Sequence, residues 1–168
     1  MKSIALIGMM GCGKTTVGKL LAAALEREFV DLDQVIETAQ NTSISSIFKE
    51  KGEAFFRELE TKALNQYKNT SNLVISTGGG IVETEKNLEI LEANFITIYL
   101  KTSPDVLFAR IKDDTTRPLL QTTTPKKTLE KLLKKREKSY KKASKIVISY
   151  KKTPEEIMKE IQKCLELN

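Results

Sequence analysis

The sequence predicts an α/β protein of three layers, with a five-stranded parallel sheet covered by helices on both faces. Three observations carry that expectation. Short apolar runs alternate with helical patterns almost from end to end. The runs are apolar throughout, as strands buried on both faces are. The first of them leads directly into GMMGCGKT at 8–15, a complete G-x-x-x-x-G-K-[ST] phosphate-binding loop that opens a helix.

The elements follow in order. SIALIG (3–8) reads as a strand, and residues 14–27 read as a helix whose apolar positions are Val17, Leu20, Leu21, Ala24 and Leu25. FVDLD (29–33) is a short second strand, followed by a helix-rich insert, about 33–68, and by LVIST (73–77) as the third strand. TGGG leads to a helix near 84–93, FITIYL (95–100) is the fourth strand, and a further helix begins around Pro104. The polar, Thr-rich stretch DDTTRPLLQTTTP (113–125) has little to anchor it and reads as a mobile lid. A basic helix and the strand KIVISY (145–150) come next. The last helix carries strong start signals: Thr153 as N-cap, Pro154 at the first helical position and Glu156 to complete a capping box.

At 168 residues and 40% apolar content, the chain is expected to form one domain over 1–168. No secretion signal and no run of 18 apolar residues appears, which excludes a membrane-spanning helix. Two cysteines, Cys12 and Cys164, cannot build a disulfide framework and point to a reducing compartment, so a cytoplasmic location is expected. The net charge of +6 is uneven, because residues 126–152 hold twelve Lys/Arg against Glu130 and Glu137. Such a segment can bind nucleic acid. Here Leu129, Leu132, Leu133, Tyr140 and Ala143 instead describe an amphipathic helix with a solvated lysine face that draws in small anions. No nucleic-acid or membrane partner is expected, and the chain is expected to act as a monomer.

The chemistry starts at the loop. Inward-pointing backbone N–H groups cradle phosphate oxygens, Lys14 reaches the β- and γ-phosphates, and the Thr15 hydroxyl ligates Mg²⁺. The helix N-terminus adds its positive dipole end. Ligands of parallel sheets sit beyond the carboxyl ends of the strands, which selects Asp31, Asp33 and residues 77–80 for attention. Asp31 and Asp33, two apart at a strand end, send their carboxylates out together, one to support hydrated Mg²⁺ and one to engage an acceptor hydroxyl. The alternative is that Asp33 caps the following helix. Gly78, Gly79 and Gly80 would let backbone N–H groups approach a ligand closely. Only five of the 28 basic residues are arginines. In so lysine-rich a chain, Arg57, Arg110, Arg117 and Arg136 imply planar, bidentate contacts to carboxylate or phosphate, hence an anionic acceptor.

GMMGCGKT, DLD, FFRELE, STGGG, TTRPLL and KREKSY, in this order and spacing, closely resemble the shikimate kinase family over essentially the whole chain. The resemblance implies the P-loop, nucleoside-monophosphate-kinase-like fold with strand order 2-3-1-4-5. It further implies transfer of the ATP γ-phosphate to the 3-hydroxyl of shikimate, on the way to chorismate and the aromatic amino acids. Gly11, Cys12, Gly13, Lys14, Thr15 and Thr16 would hold ATP, and Arg110 with the neighbourhood of Pro154 would sandwich the adenine. Asp31 would support Mg²⁺ through water. Asp33 would orient or deprotonate the attacking hydroxyl, and Arg57 and Arg136 would clamp the carboxylate beside Gly78, Gly79 and Gly80. Arg117 on the lid would reach the transferring phosphate, while Phe48 and Phe56 either shape the acceptor pocket or are plain core. Alternative acceptors within this branch are gluconate and a nucleoside monophosphate.

Three features stand out against that pattern. Strand three ends in Ser76-Thr77, without the acid of a Walker B motif, which leaves Asp31 as the metal's support. The chain has no histidine, so any general base is Asp33, and a carboxylate mainly orients. Cys12, beside a helix N-terminus and Lys14, is expected to be a reactive thiol whose alkylation or oxidation blocks ATP.

Overall fold

Four consecutive apolar residues leave β1 (Ile4–Ile7) no place but the middle of the sheet, and all four are fully buried. The computed structural model describes residues 1–114, 118–149 and 153–166. β1 lies between β3 (Leu73–Ser76) and β4 (Ile96–Lys101), with β2 (Glu28–Asp31) and β5 (Ile146–Ser149) at the edges. The order is β2-β3-β1-β4-β5 and every pairing is parallel, as expected. Register sets the site: Ile4 pairs with Val74 and Ile96, and Asp31 pairs with Ser76, so the strands end together at one edge.

The seven α-helices among the described residues cover the sheet. α1 (Lys14–Ala24) packs on β2, β3 and α7 (Pro154–Glu166). α4 (Glu85–Asn94) and α6 (Pro125–Ala143) pack on each other and on β4, and α5 (Pro104–Ile111) leans on α6. The basic helix buries Leu129, Tyr140 and Ala143, leaving most of its lysines outside, which is the amphipathic arrangement its spacing predicts. The insert folds as α2 (Leu32–Gln40) packed on α3 (Ile44–Gln66). α3 kinks at Gly52, whose φ of 81° is a left-handed conformation that other residues adopt only under strain.

Two local expectations change. The second strand stops at Asp31 rather than 33, because the Asp31 side chain caps α2 by accepting from the Asp33 N–H at 3.1 Å. Leu32, which reads as a strand residue, is the first residue of that helix and is buried. Within 113–125, residues 118–120 form a short 3₁₀ turn, and Leu120 is buried, with the turn packed on α6. That part of the stretch has an apolar anchor its composition does not advertise. Residues 115–117, and with them Arg117, lie outside the described residues.

The capping box of α7 forms as its sequence predicts. The Thr153 N–H donates to Glu156 Oε2 at 2.8 Å, and the Glu156 N–H donates to Thr153 Oγ1 at 3.3 Å. Because α7 buries Ile157 and Ile161, fraying at this cap loosens core contacts. Thr153→Ala is expected to cost about 1 kcal/mol. In thermal unfolding that corresponds to a Tm lower by roughly 2–4 °C.

Candidate active site

Among the cavities beyond the strand ends of the described residues, two adjoin each other. One, of about 640 Å³, is lined by the phosphate-binding loop, with Gly11, Gly13, Lys14, Thr15 and Thr16 on one side and Asp31, Ser76, Thr77, Arg110 and Pro154 around it. The other, of about 570 Å³, lies between α2, α3, the glycine run and α6. Asp33, Glu37, Phe48, Phe56, Arg57, Glu60, Gly78, Gly79, Gly80 and Arg136 line it. Met10, Asp33 and Gly79 belong to both walls, so the cavities adjoin there.

In the first cavity Lys14 is nearly buried, and its ammonium donates to the carbonyls of Gly8 at 2.9 Å and Met9 at 3.1 Å, across the mouth of the loop. Thr15 Oγ1 donates to Asp31 Oδ2 at 2.8 Å and lies 3.4 Å from Ser76 Oγ. Asp31 thus uses one oxygen to cap α2 and the other to face Thr15. These three groups are all hard oxygen donors, the chemistry Mg²⁺ selects. No cluster of three or more His, Cys, Asp or Glu suited to a metal exists among the described residues. Arg110 donates to the Gly11 carbonyl at 3.2 Å and shares this cavity with Pro154.

The paired-acid reading needs correction. Asp31 and Asp33 do not leave one strand face together, because Asp33 stands in the first turn of α2. The helical turn separates them: both border the loop-lined cavity, and Asp33 alone also borders the second. The cap of α2 is Asp31, not Asp33. Cys12 also departs from expectation. It is fully buried, its sulfur 3.8 Å from the Lys14 ammonium, so a reagent has no path to the thiol in the folded loop.

The second cavity is built around two guanidiniums from different helices. Arg57, on α3, donates to Glu60, to Glu53 at 2.7 Å and to Glu83 at 3.3 Å. Arg136, on α6, is 1% exposed and donates to Glu83 at 3.1 Å. Gly80 is a glycine for close approach, since a Cβ would collide with the Arg57 guanidinium lying over it. Tyr140 stacks on Tyr99 with centroids 4.9 Å apart, and its hydroxyl donates to the Gly79 carbonyl, fixing that peptide. Phe48 and Phe56 contact each other with ring centroids 4.9 Å apart, Phe56 is buried, and both line the cavity.

Sequence reasoning missed Glu60, Glu83 and Tyr140. Glu53 and Glu60 stand four before and three after Arg57, a helical ion-pair spacing that was there to be used. Nothing local announces Glu83 as the partner of two arginines. Burial pushes the Glu60 carboxyl up to about 7, with the Asp33 charge adding to the rise and Arg57 and Arg136 opposing it. A carboxyl raised in the folded state holds its proton longer than in the unfolded chain, so its contribution to stability declines as pH rises from about 4.5 to 7. Denaturant titrations at pH 5, 6 and 7 are expected to show the wild type losing stability relative to Glu60→Gln along that series. A constant difference would contradict the assignment.

The family model of shikimate kinase matches residues 10–166. A shikimate kinase of Thermodesulfovibrio yellowstonii is 42% identical over 166 residues, covering 99% of this chain and 96% of the relative. A shikimate kinase of Persephonella marina is also 42% identical, over 96% of this chain and 97% of its own. Among solved structures, a shikimate kinase of Acinetobacter baumannii in complex with shikimate superposes with a TM-score of 0.93 at 38% identity, covering 99% of this chain and 92% of that one. Sheet order, phosphate-binding loop and sequence kinship agree: this chain belongs to the shikimate kinase family.

Proposed function

We propose that the chain transfers the γ-phosphate of ATP to the 3-hydroxyl of shikimate, giving shikimate 3-phosphate and ADP for the route to chorismate and aromatic amino acids. One observation carries the reading. A cavity lined by a phosphate-binding loop and a cavity lined by two guanidiniums meet at Asp33, Met10 and Gly79. An acceptor held by its carboxylate at Arg57 and Arg136 would present hydroxyls towards that shared wall. Gluconate and nucleoside monophosphates are not favoured, since the family model and the relatives described above are those of shikimate kinases.

Phosphoryl transfer asks little covalent chemistry of the protein and much positioning and charge neutralisation. Gly11, Cys12, Gly13 and Thr16 would lend the loop's backbone and first helical turn to the phosphates, with Lys14 between the β- and γ-phosphates. Thr15 would ligate Mg²⁺, with Asp31 holding a water of its shell; the ion's chemistry there is to neutralise charge on the β- and γ-phosphates. Arg110 and Pro154 would hold the adenine. Asp33 would accept a hydrogen bond from the attacking hydroxyl and orient it. Gly78, Gly79 and Gly80 would contribute backbone contacts to the acceptor. Pro118 and Leu119 border the acceptor cavity, which supports 113–125 as its lid; Arg117, outside the described residues, would reach the transferring phosphate. An arginine so delivered is worth on the order of 10³-fold or more in related systems. A monomer working in the cytoplasm is part of the proposal, and no described helix is long and apolar enough to cross a membrane.

A coupled ADP-release assay with MgATP and a panel of shikimate, gluconate, AMP and CMP tests the reading. Turnover is expected with shikimate alone, and its absence there would end the proposal. Asp33→Asn is expected to lower kcat by about 10²-fold or more while nucleotide binding stays nearly intact. Arg57→Lys is expected chiefly to raise KM for shikimate, by about tenfold, because a point charge cannot reproduce a planar fork. An unchanged KM in that variant would count against a carboxylate clamp.

A further inference from the structure

Glu83 lies on the single 3₁₀ turn, Ile81–Glu83, that follows the glycine run, and its N–H donates back to the Gly80 carbonyl at 2.9 Å. One of its oxygens, Oε2, accepts from both arginines of the acceptor cavity: Arg57 Nη2 at 3.3 Å and Arg136 Nη2 at 3.1 Å. The other, Oε1, is 2.7 Å from the Lys135 ammonium. Arg57 has Glu53 and Glu60 besides, but Glu83 is the only carboxylate paired with Arg136 among the described residues. The Glu83 side chain is 14% exposed and is not among the residues that line the acceptor cavity, whereas Arg57 and Arg136 are. Burial alone would push its pKa up; hydrogen bonds from Arg136 and Lys135, and the Arg57 charge, outweigh this and hold it below the usual carboxylate value.

Two guanidiniums from separate helices, brought to one cavity wall, repel each other. Both guanidiniums donate to the same Glu83 oxygen, which offsets that repulsion and ties their positions to one another. We propose that Glu83 is a positioning residue of the acceptor site: it holds Arg57 and Arg136 at the spacing that takes a carboxylate and so makes the site select an anionic over an uncharged acceptor. This rests on the reading of the cavity as the acceptor site. A carboxylate lining the cavity beside Arg136 would instead compete with the acceptor; the place of Glu83 outside that lining makes it a tether.

Steady-state kinetics of the wild type, Glu83→Gln and Glu83→Asp, with shikimate and with its neutral primary amide as acceptors, test the proposal. In Glu83→Gln, KM for shikimate is expected to rise about tenfold with kcat within about twofold and KM for ATP unchanged. The preference for acid over amide in kcat/KM should fall by about the same factor, with Glu83→Asp intermediate. A merely structural role would lower Tm and depress both acceptors alike, leaving that preference where it was. An unchanged preference overturns the proposal, and so does a lowered shikimate KM, the mark of a competitor. Should Glu83→Gln yield no folded protein, the acid-over-amide ratio of Glu83→Asp decides by the same criterion. Wild-type failure to phosphorylate shikimate would instead defeat the reading of the site itself, a separate and distinguishable result.

Discussion

A guanidinium that is 1% exposed cannot be left without a partner, and much of the cavity between α3 and α6 follows from that constraint at Arg136. Stranding a buried charge costs about 3–5 kcal/mol, a large share of the stability of a domain this size. Its partner, Glu83, sits on the turn after the glycine run, so pairing ties α6 to the loop leaving β3. Glu83 also reaches Arg57, which ties in α3. Three elements distant in the chain are thereby held round one cavity by charge, where apolar packing alone would leave their polar ends unmatched.

The loop-lined cavity rests on a different constraint, the register of a parallel sheet. Because β1 lies between β3 and β4, the loop leaving β1 emerges beside Ser76 and Thr77, and Asp31 arrives from β2 at the level of Ser76. Thr15 then finds Asp31 and Ser76 with no movement of backbone. Sheet geometry shapes the loop-lined cavity, and the buried charge network shapes the cavity of the two arginines. Asp33, one turn into α2, borders both cavities.

Features written in a few consecutive residues were legible in the sequence. The phosphate-binding loop, the doubly buried strands and the Thr153–Glu156 capping box each depend on neighbours within one turn or one strand. FVDLD was ambiguous, since an aspartate at a strand end and an aspartate capping a helix look alike until the backbone turns. Leu32, apolar and buried in either case, hid the boundary. The partners of Glu83 lie 26 and 53 residues away, a separation at which spacing carries no signal. The arginines themselves were legible because they are scarce, and Glu53 and Glu60 stand at helical spacing from Arg57, whereas Glu83, one acid among 22, was not legible. Cys12 looked reactive from its sequence neighbours, and burial, a tertiary property, removed that expectation.

If the acceptor cavity is held ready by its own charge network, it needs no nucleotide to recognise its ligand. Isothermal titration of shikimate into nucleotide-free protein measures this directly, with Arg136→Lys as the comparison and MgATP titrated into both. The account predicts shikimate binding to the wild type without nucleotide, about tenfold or more weaker binding in Arg136→Lys, and equal MgATP affinity in the two. Shikimate binding that appears only once nucleotide is bound, or that is indifferent to Arg136→Lys, would contradict it.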